Sequence, residues 1–159
     1  MHFRLYASTV AAAALIGLGA AGAQPAEPRR IDGAVIYTVP EPFEDVVFGV
    51  ENAIIGQGLV IDSTSHVGAM LERTRGDVGS DVVLYDAADV FSFCSAAVSR
   101  QVMEADPLNI QFCPYDIFVY TLADAPGETH VGYRDYPDGP MDAVETLLDD
   151  IVQAALGTW

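Results

Sequence analysis

No lysine occurs anywhere in the 159 residues, and all 7 cations are arginines, set against 23 aspartates and glutamates for a formal net charge of −16 at pH 7. That absence excludes Schiff-base chemistry, a phosphate-gripping P-loop lysine and every other lysine-dependent mechanism. The scarcity of positive charge excludes ordinary nucleic-acid binding too. Neutralising phosphates takes a basic face, which a few arginines scattered among so many carboxylates do not make. Cysteine is nearly as rare. Cys94 and Cys113 stand in no CxxC or CxxCH arrangement, so neither a vicinal dithiol centre nor covalent c-type haem fits. Apolar residues are abundant, at 51%, which is too many for an acidic disordered tail and predicts one folded domain.

The first segment reads as an address. His2 and Arg4 precede an apolar run from Leu5 through Leu18, and Ala21-Gly22-Ala23 supplies the small-x-small pattern of a cleavage site before Gln24. The run is shorter and richer in Ala and Gly than the ~20 strongly apolar residues of a membrane span, and no cysteine follows the cleavage site to carry a lipid. The chain therefore divides into a Sec-type signal peptide over 1–23, a flexible leader over 24–32 and a single domain over 33–159. The expected product is a soluble periplasmic protein with no membrane insertion after cleavage. Gly17-Leu18-Gly19-Ala20-Ala21-Gly22 matches the dinucleotide pattern GxGxxG but lies in the leader, with no strand before it and no βαβ unit around it.

Along the domain, Ala34 to Val39 is β-branched and aromatic and stops at Pro40, a first strand. Phe43, Val46, Val47, Val50 and Ile54 then follow helical spacing, with Pro42 at the entry and Gly56 and Gly58 at the exit. Leu59 to Thr64 is a short strand, His66 to Arg73 a helical turn, and Val82 to Phe93 one strand or two, interrupted at Ala87-Ala88-Asp89. Ser95 to Glu104 is a short helix ended by Asp106-Pro107. Ile117 to Leu122, apolar on both faces, is a central strand, joined through a turn at Ala125-Pro126-Gly127 to a hairpin partner from His130 to Tyr136. Met141, Val144, Leu148, Ile151 and Ala155 make a last helical stripe, left at Gly157. The order β-α-β-(α)-β-(α)-β-β-α predicts an α+β fold, with two main helices on one face of an antiparallel sheet.

Several chemistries fit parts of this residue set. In an oxidising compartment the two cysteines read first as a disulfide, worth about 3 kcal/mol at this spacing. A labile redox pair is the alternative. Cys113-Pro114-Tyr115-Asp116 imitates a CPYC centre, but Asp116 occupies the resolving position, so Cys113 exchanges only through Cys94. A soft-metal site would combine the thiols with His66, Met70 or Met103. Ser95 and Ser99 flank Cys94 without a GxSxG elbow, and Ser95 reads as a helix cap. Asp135, Asp138 and Asp142 resemble a calcium loop, but Thr146 stands where its bidentate glutamate belongs. Arg100 either holds an anionic ligand or pairs with Glu104 at i+4.

Phe93-Cys94-Ser95-Ala96, Met103, Asp106-Pro107 and Cys113-Pro114-Tyr115 leading into Val119-Tyr120, together with Gly58-Leu59-Val60, resemble the exported, two-cysteine branch of the DUF302 family. The resemblance spans Gly33 to Ala155 and implies a TBP-like α+β domain with a curved antiparallel sheet; it implies no activity. The expectation is a non-enzymatic binding module for a small ligand or a periplasmic protein, stapled by Cys94–Cys113. It binds through the concave sheet or the Cys94 to Tyr115 region, with Arg100 and Tyr115 as candidate ligand contacts. No catalytic residue, metal ligand or cofactor is assigned. Thiol redox or sulfur handling is the second reading and copper binding the third.

Overall fold

A computed structural model describes residues 27–157, so the expected signal peptide and the first residues of the leader lie outside the described residues. Six strands form one open sheet in the order β1-β2-β6-β5-β4-β3, antiparallel at every junction. They are β1 (Arg29–Ile31), β2 (Ala34–Val39), β3 (Ile61–Ser65), β4 (Tyr85–Phe93), β5 (Tyr115–Leu122) and β6 (Ala125–Arg134). The helices are α1 (Phe43–Gly56), α2 (Val67–Thr74), α3 (Ala96–Ala105) and α4 (Asp142–Leu156), with a 3-10 turn at Pro107–Phe112. The mixed α+β class and the two main helices on the sheet follow the sequence pattern. None of these helices is long and apolar enough to cross a membrane.

Period-two alternation sends Val35, Tyr37, Phe91, Phe93, Ile117, Val119, Val131 and Tyr133 to one face, where they meet Val46, Val50 and Ile54 of α1 and Val144, Leu148, Ile151 and Val152 of α4. Two tyrosine hydroxyls enter this core and need an acceptor. Tyr133 donates to Asp149 Oδ1 at 2.8 Å, and Tyr37 donates to the same oxygen. Nearby, Glu145 of α4 accepts from Arg30 at 2.8 Å and from the Tyr136 backbone N–H at 2.7 Å. Burial works against the Glu145 charge, but the hydrogen bonds from Arg30 and Tyr136 outweigh it and hold its pKa below the usual carboxylate value. Its contribution to stability is therefore complete above that usual value and is lost as acidification passes through the lowered one.

Four details depart from the sequence pattern. Residues 29–31, read as flexible leader, form β1. The cause is the Asp32-Gly33 turn, whose positive φ angles of 51° and 79° match the twist of a two-residue hairpin. Val82 to Leu84 stays outside the sheet and exposed, while β4 runs unbroken through Ala87-Ala88-Asp89 with its irregularity at Asp86. The β5–β6 turn sits at Ala123-Asp124, because Pro126 and Gly127 are absorbed by a bulge between the Leu122↔Ala125 and Thr121↔Thr129 pairs. Finally, β5 carries apolar side chains on both faces, yet only one face is covered by the main helices. Phe118, Tyr120 and Leu122 stay half-buried on the other.

That second face is assembled around Gly132. A Cβ there would lie 2.2 Å from the Val35 carbonyl oxygen and 2.9 Å from Cζ of Phe118, so the glycine lets the Phe118 ring lie across β6. Beside it the Tyr120 and His130 rings stack at 4.6 Å, and His130 Nδ1 is 2.9 Å from Thr38 Oγ1. Gly132→Ala is expected to lower unfolding stability by about 3 kcal/mol or more in chemical denaturation. Gly127→Ala, with open space at its Cβ position, should stay within about 0.5 kcal/mol. Equal effects of the two changes would contradict this packing.

Candidate functional site

The two cysteines end neighbouring segments at one end of the sheet. Cys94 leaves β4 at the entrance of α3, and Cys113 leaves the 3-10 turn at the entrance of β5. Ser95 caps α3 as its sequence position predicts, its Oγ accepting from the Val98 N–H at 3.3 Å. Asp106 caps the 3-10 turn, accepting from Leu108 N–H at 2.9 Å, and Asn109 donates to the Val102 carbonyl at 2.9 Å. These local bonds bring the sulfurs together. Their separation is 2.7 Å, inside ordinary nonbonded sulfur contact but beyond the ~2.05 Å of a disulfide, so both are free thiols here. Cys94 is exposed and Cys113 half-buried.

The surroundings disfavour a thiolate at Cys94. Burial, the hydrogen bond with Cys113 and the negative charges of Cys113, Asp62 and Asp116 push its thiol up to about 12. Asp116, placed by sequence where a resolving cysteine would stand, instead accepts from Ser92 Oγ at 2.5 Å across the β4–β5 pair.

The expected ligand contacts are placed elsewhere. Tyr115 is fully buried, its hydroxyl 3.0 Å from Ser99 Oγ, so it belongs to the core rather than to a binding surface. Arg100 pairs with Glu104 at 2.7 Å, the i+4 partner, with both side chains exposed. His66, just past β3, sits 2.9 Å from Asp89 of β4, while His130 of β6 stacks on Tyr120 of β5. Among the described residues no three of His, Cys, Asp and Glu converge as a metal site.

A concavity of about 490 Å³ opens beside Cys113. Its floor is the uncovered sheet face, Ala34 of β2, Arg134 of β6, Asp116 and Phe118 of β5 and Val90 of β4; its wall is the segment from Gln111 to Pro114 together with Tyr136. The wall is packed through rings: Tyr136 meets Phe112 at 5.5 Å and Tyr115 at 6.5 Å, both edge-on. Tyr136 is only 7% exposed. Its hydroxyl makes no hydrogen bond among the described residues, and no buried side-chain oxygen there lacks a partner, so this hydroxyl must reach solvent, and the concavity is its outlet. Burial raises its pKa most, while Arg134 lowers it and Asp116 raises it, which places the hydroxyl within the field of both charges.

Arg134 is exposed and, unlike Arg30, Arg75 and Arg100, forms no ion pair among the described residues. Two other hollows lack an unpaired arginine. A groove of about 170 Å³ beside α2 is lined by apolar residues, with Arg75 and Glu72 already paired there. A second, of about 500 Å³ against α4, is acidic, and its Arg30, Glu145 and Asp149 are engaged with one another or with tyrosines. The sequence pattern places Arg134 and Tyr136 only within the His130 to Tyr136 hairpin partner, Tyr136 at its end. The charge alternation past Tyr133 was the one signal available for them.

Comparison with known proteins is consistent with this fold. The family model described as "Domain of unknown function DUF302" matches residues 35–154. The crystal structure of an uncharacterized conserved protein DUF302 from Bacillus stearothermophilus superimposes with a TM-score of 0.56 at 16% identity, covering 80% of this chain and 95% of that one. No curated protein matches.

The placement of Cys94 has a direct chemical consequence. In the reduced protein at neutral pH, peptide mapping should show iodoacetamide labelling Cys94 at least about tenfold more slowly than free cysteine. A rate equal to free cysteine would contradict the acidic setting and the hydrogen bond with Cys113.

Proposed function

We propose that this chain, which belongs to the DUF302 family, is an exported, non-enzymatic binding module that takes a small ligand into the concavity beside Cys113. The observation that carries the reading is Tyr136, a side chain more than nine-tenths buried whose hydroxyl has no partner among the described residues and reaches solvent beside an unpaired arginine, in a hollow of ligand size. A polar group so placed is satisfied by water or by ligand. The partners are small molecules rather than nucleic acid or lipid, a reading supported by the excess of carboxylates over arginines.

In this reading Cys94 and Cys113 are joined as a structural disulfide in the mature protein. Closure needs less than an ångström of movement, and the bond would fasten the wall of the concavity to β4. The redox alternative finds a poor attacking group in Cys94, whose raised thiol disfavours the thiolate through which exchange proceeds. Export is supported by the sequence of the leader and by the proximity of the two sulfurs, which suits an oxidising compartment.

Two measurements test this. Protein recovered from the periplasm should begin at Gln24 and take up no alkylating reagent when denatured without reductant, with the bond resisting potentials near about −300 mV. Two alkylated thiols would remove the disulfide. For binding, amide spectra of the oxidised domain titrated with a pooled extract of small polar metabolites should shift at Gly33, Ala34, Asp116, Phe118 and Arg134. Shifts that avoid these positions would overturn the concavity as the site.

A further inference from the structure

The charges around the concavity point to a ligand that carries both signs. Arg134 and Asp116 follow the Ile117↔Tyr133 pair on β6 and β5, so they stand side by side on neighbouring strands, on the floor of the hollow. They form no ion pair with each other. Asp116 spends Oδ1 on Ser92, and Oδ2 has no hydrogen-bond partner among the described residues. The Tyr136 hydroxyl, within the field of both charges, is able to donate or to accept.

We propose that the concavity is built for a small zwitterion, an α-amino acid with an apolar or aromatic side chain; this rests on the reading of the hollow as a ligand site. The planar guanidinium of Arg134 offers a two-pronged seat for a carboxylate, and Asp116 accepts from an ammonium group. Phe118, Val90 and Ala34 give the apolar floor on which a side chain lies, and Gly132 shapes that floor by letting the Phe118 ring approach β6 closely. The charge balance selects the same class. A simple anion meets Asp116 and the negative field of the whole domain, and a simple cation meets Arg134. A ligand with both groups on one carbon leaves neither protein charge covered and unpaired.

The test is calorimetric titration of the full oxidised mature protein with three probes: L-phenylalanine, hydrocinnamate, which keeps only the carboxylate, and phenethylamine, which keeps only the amine. Phenylalanine should bind at least about tenfold more tightly than either half. Arg134→Gln should reduce its affinity to that of phenethylamine. Asp116→Asn, which still accepts from Ser92, should reduce it to that of hydrocinnamate. Hydrocinnamate binding as tightly as phenylalanine, with Asp116→Asn inert and Arg134→Gln still abolishing binding, would overturn the zwitterion and leave the concavity standing. The mirror result with phenethylamine would do the same. Failure of all three probes would also overturn it, while the metabolite titration decides separately whether the hollow binds anything.

Discussion

The carboxylate of Glu145 ties three parts of the chain to one group. It sits in the first turn of α4, where the helix dipole favours it, and accepts from Arg30 of β1 and from the backbone N–H of Tyr136 just beyond β6. The edge strand, the chain leaving the sheet and the last helix are thus fixed to one group. Because the second of those bonds sets where the Tyr136 ring enters, the clamp that secures the sheet edge also aims the hydroxyl that opens into the concavity. Structural and binding roles meet in one short stretch of chain, residues 133–136.

A sheet with its main helices on a single face leaves its other face to find a different solution. Here that solution is aromatic. Phe118 lies over Gly132, Tyr120 stacks on His130, and Tyr85 meets Tyr120 edge-on at 5.6 Å. Burial lowers the His130 pKa and favours its neutral form, so the stack carries little charge. The acids of the domain crowd onto helices and turns, while this face offers Arg134 and a single lining carboxylate, Asp116. An anionic group meets less repulsion there than in the acid-lined hollow against α4.

Much of the fold is legible in the sequence because local patterns and tertiary burial agree. The α1 and α4 stripes, the Ser95 cap and the first strand all follow from spacing alone. Tyr115 shares its parity with Ile117 and Val119, so the alternation that marks β5 already sends it into the core. Arg100 and Glu104 meet at the ordinary i+4 spacing. The Asp-Gly pair at 32–33 is a hairpin signal, overshadowed by the prolines before it. What local pattern does not carry is the far side of the sheet. Apolar residues on both faces of β5 read as a buried strand, whereas one face is a half-open shelf. The site depends on residues from four strands and a 3-10 turn, a convergence set by strand order rather than by spacing.

A hydroxyl that contributes nothing to the fold can be removed without loss, and that property separates a ligand-facing group from a structural one. The stability of unliganded Tyr136→Phe, measured by chemical denaturation against the wild-type domain, is therefore the most direct measurement. An unpartnered hydroxyl predicts a difference within about 0.5 kcal/mol. A loss of about 1.5 kcal/mol or more would mean that the hydroxyl is satisfied inside the fold, and would contradict the assignment of the concavity as a binding site.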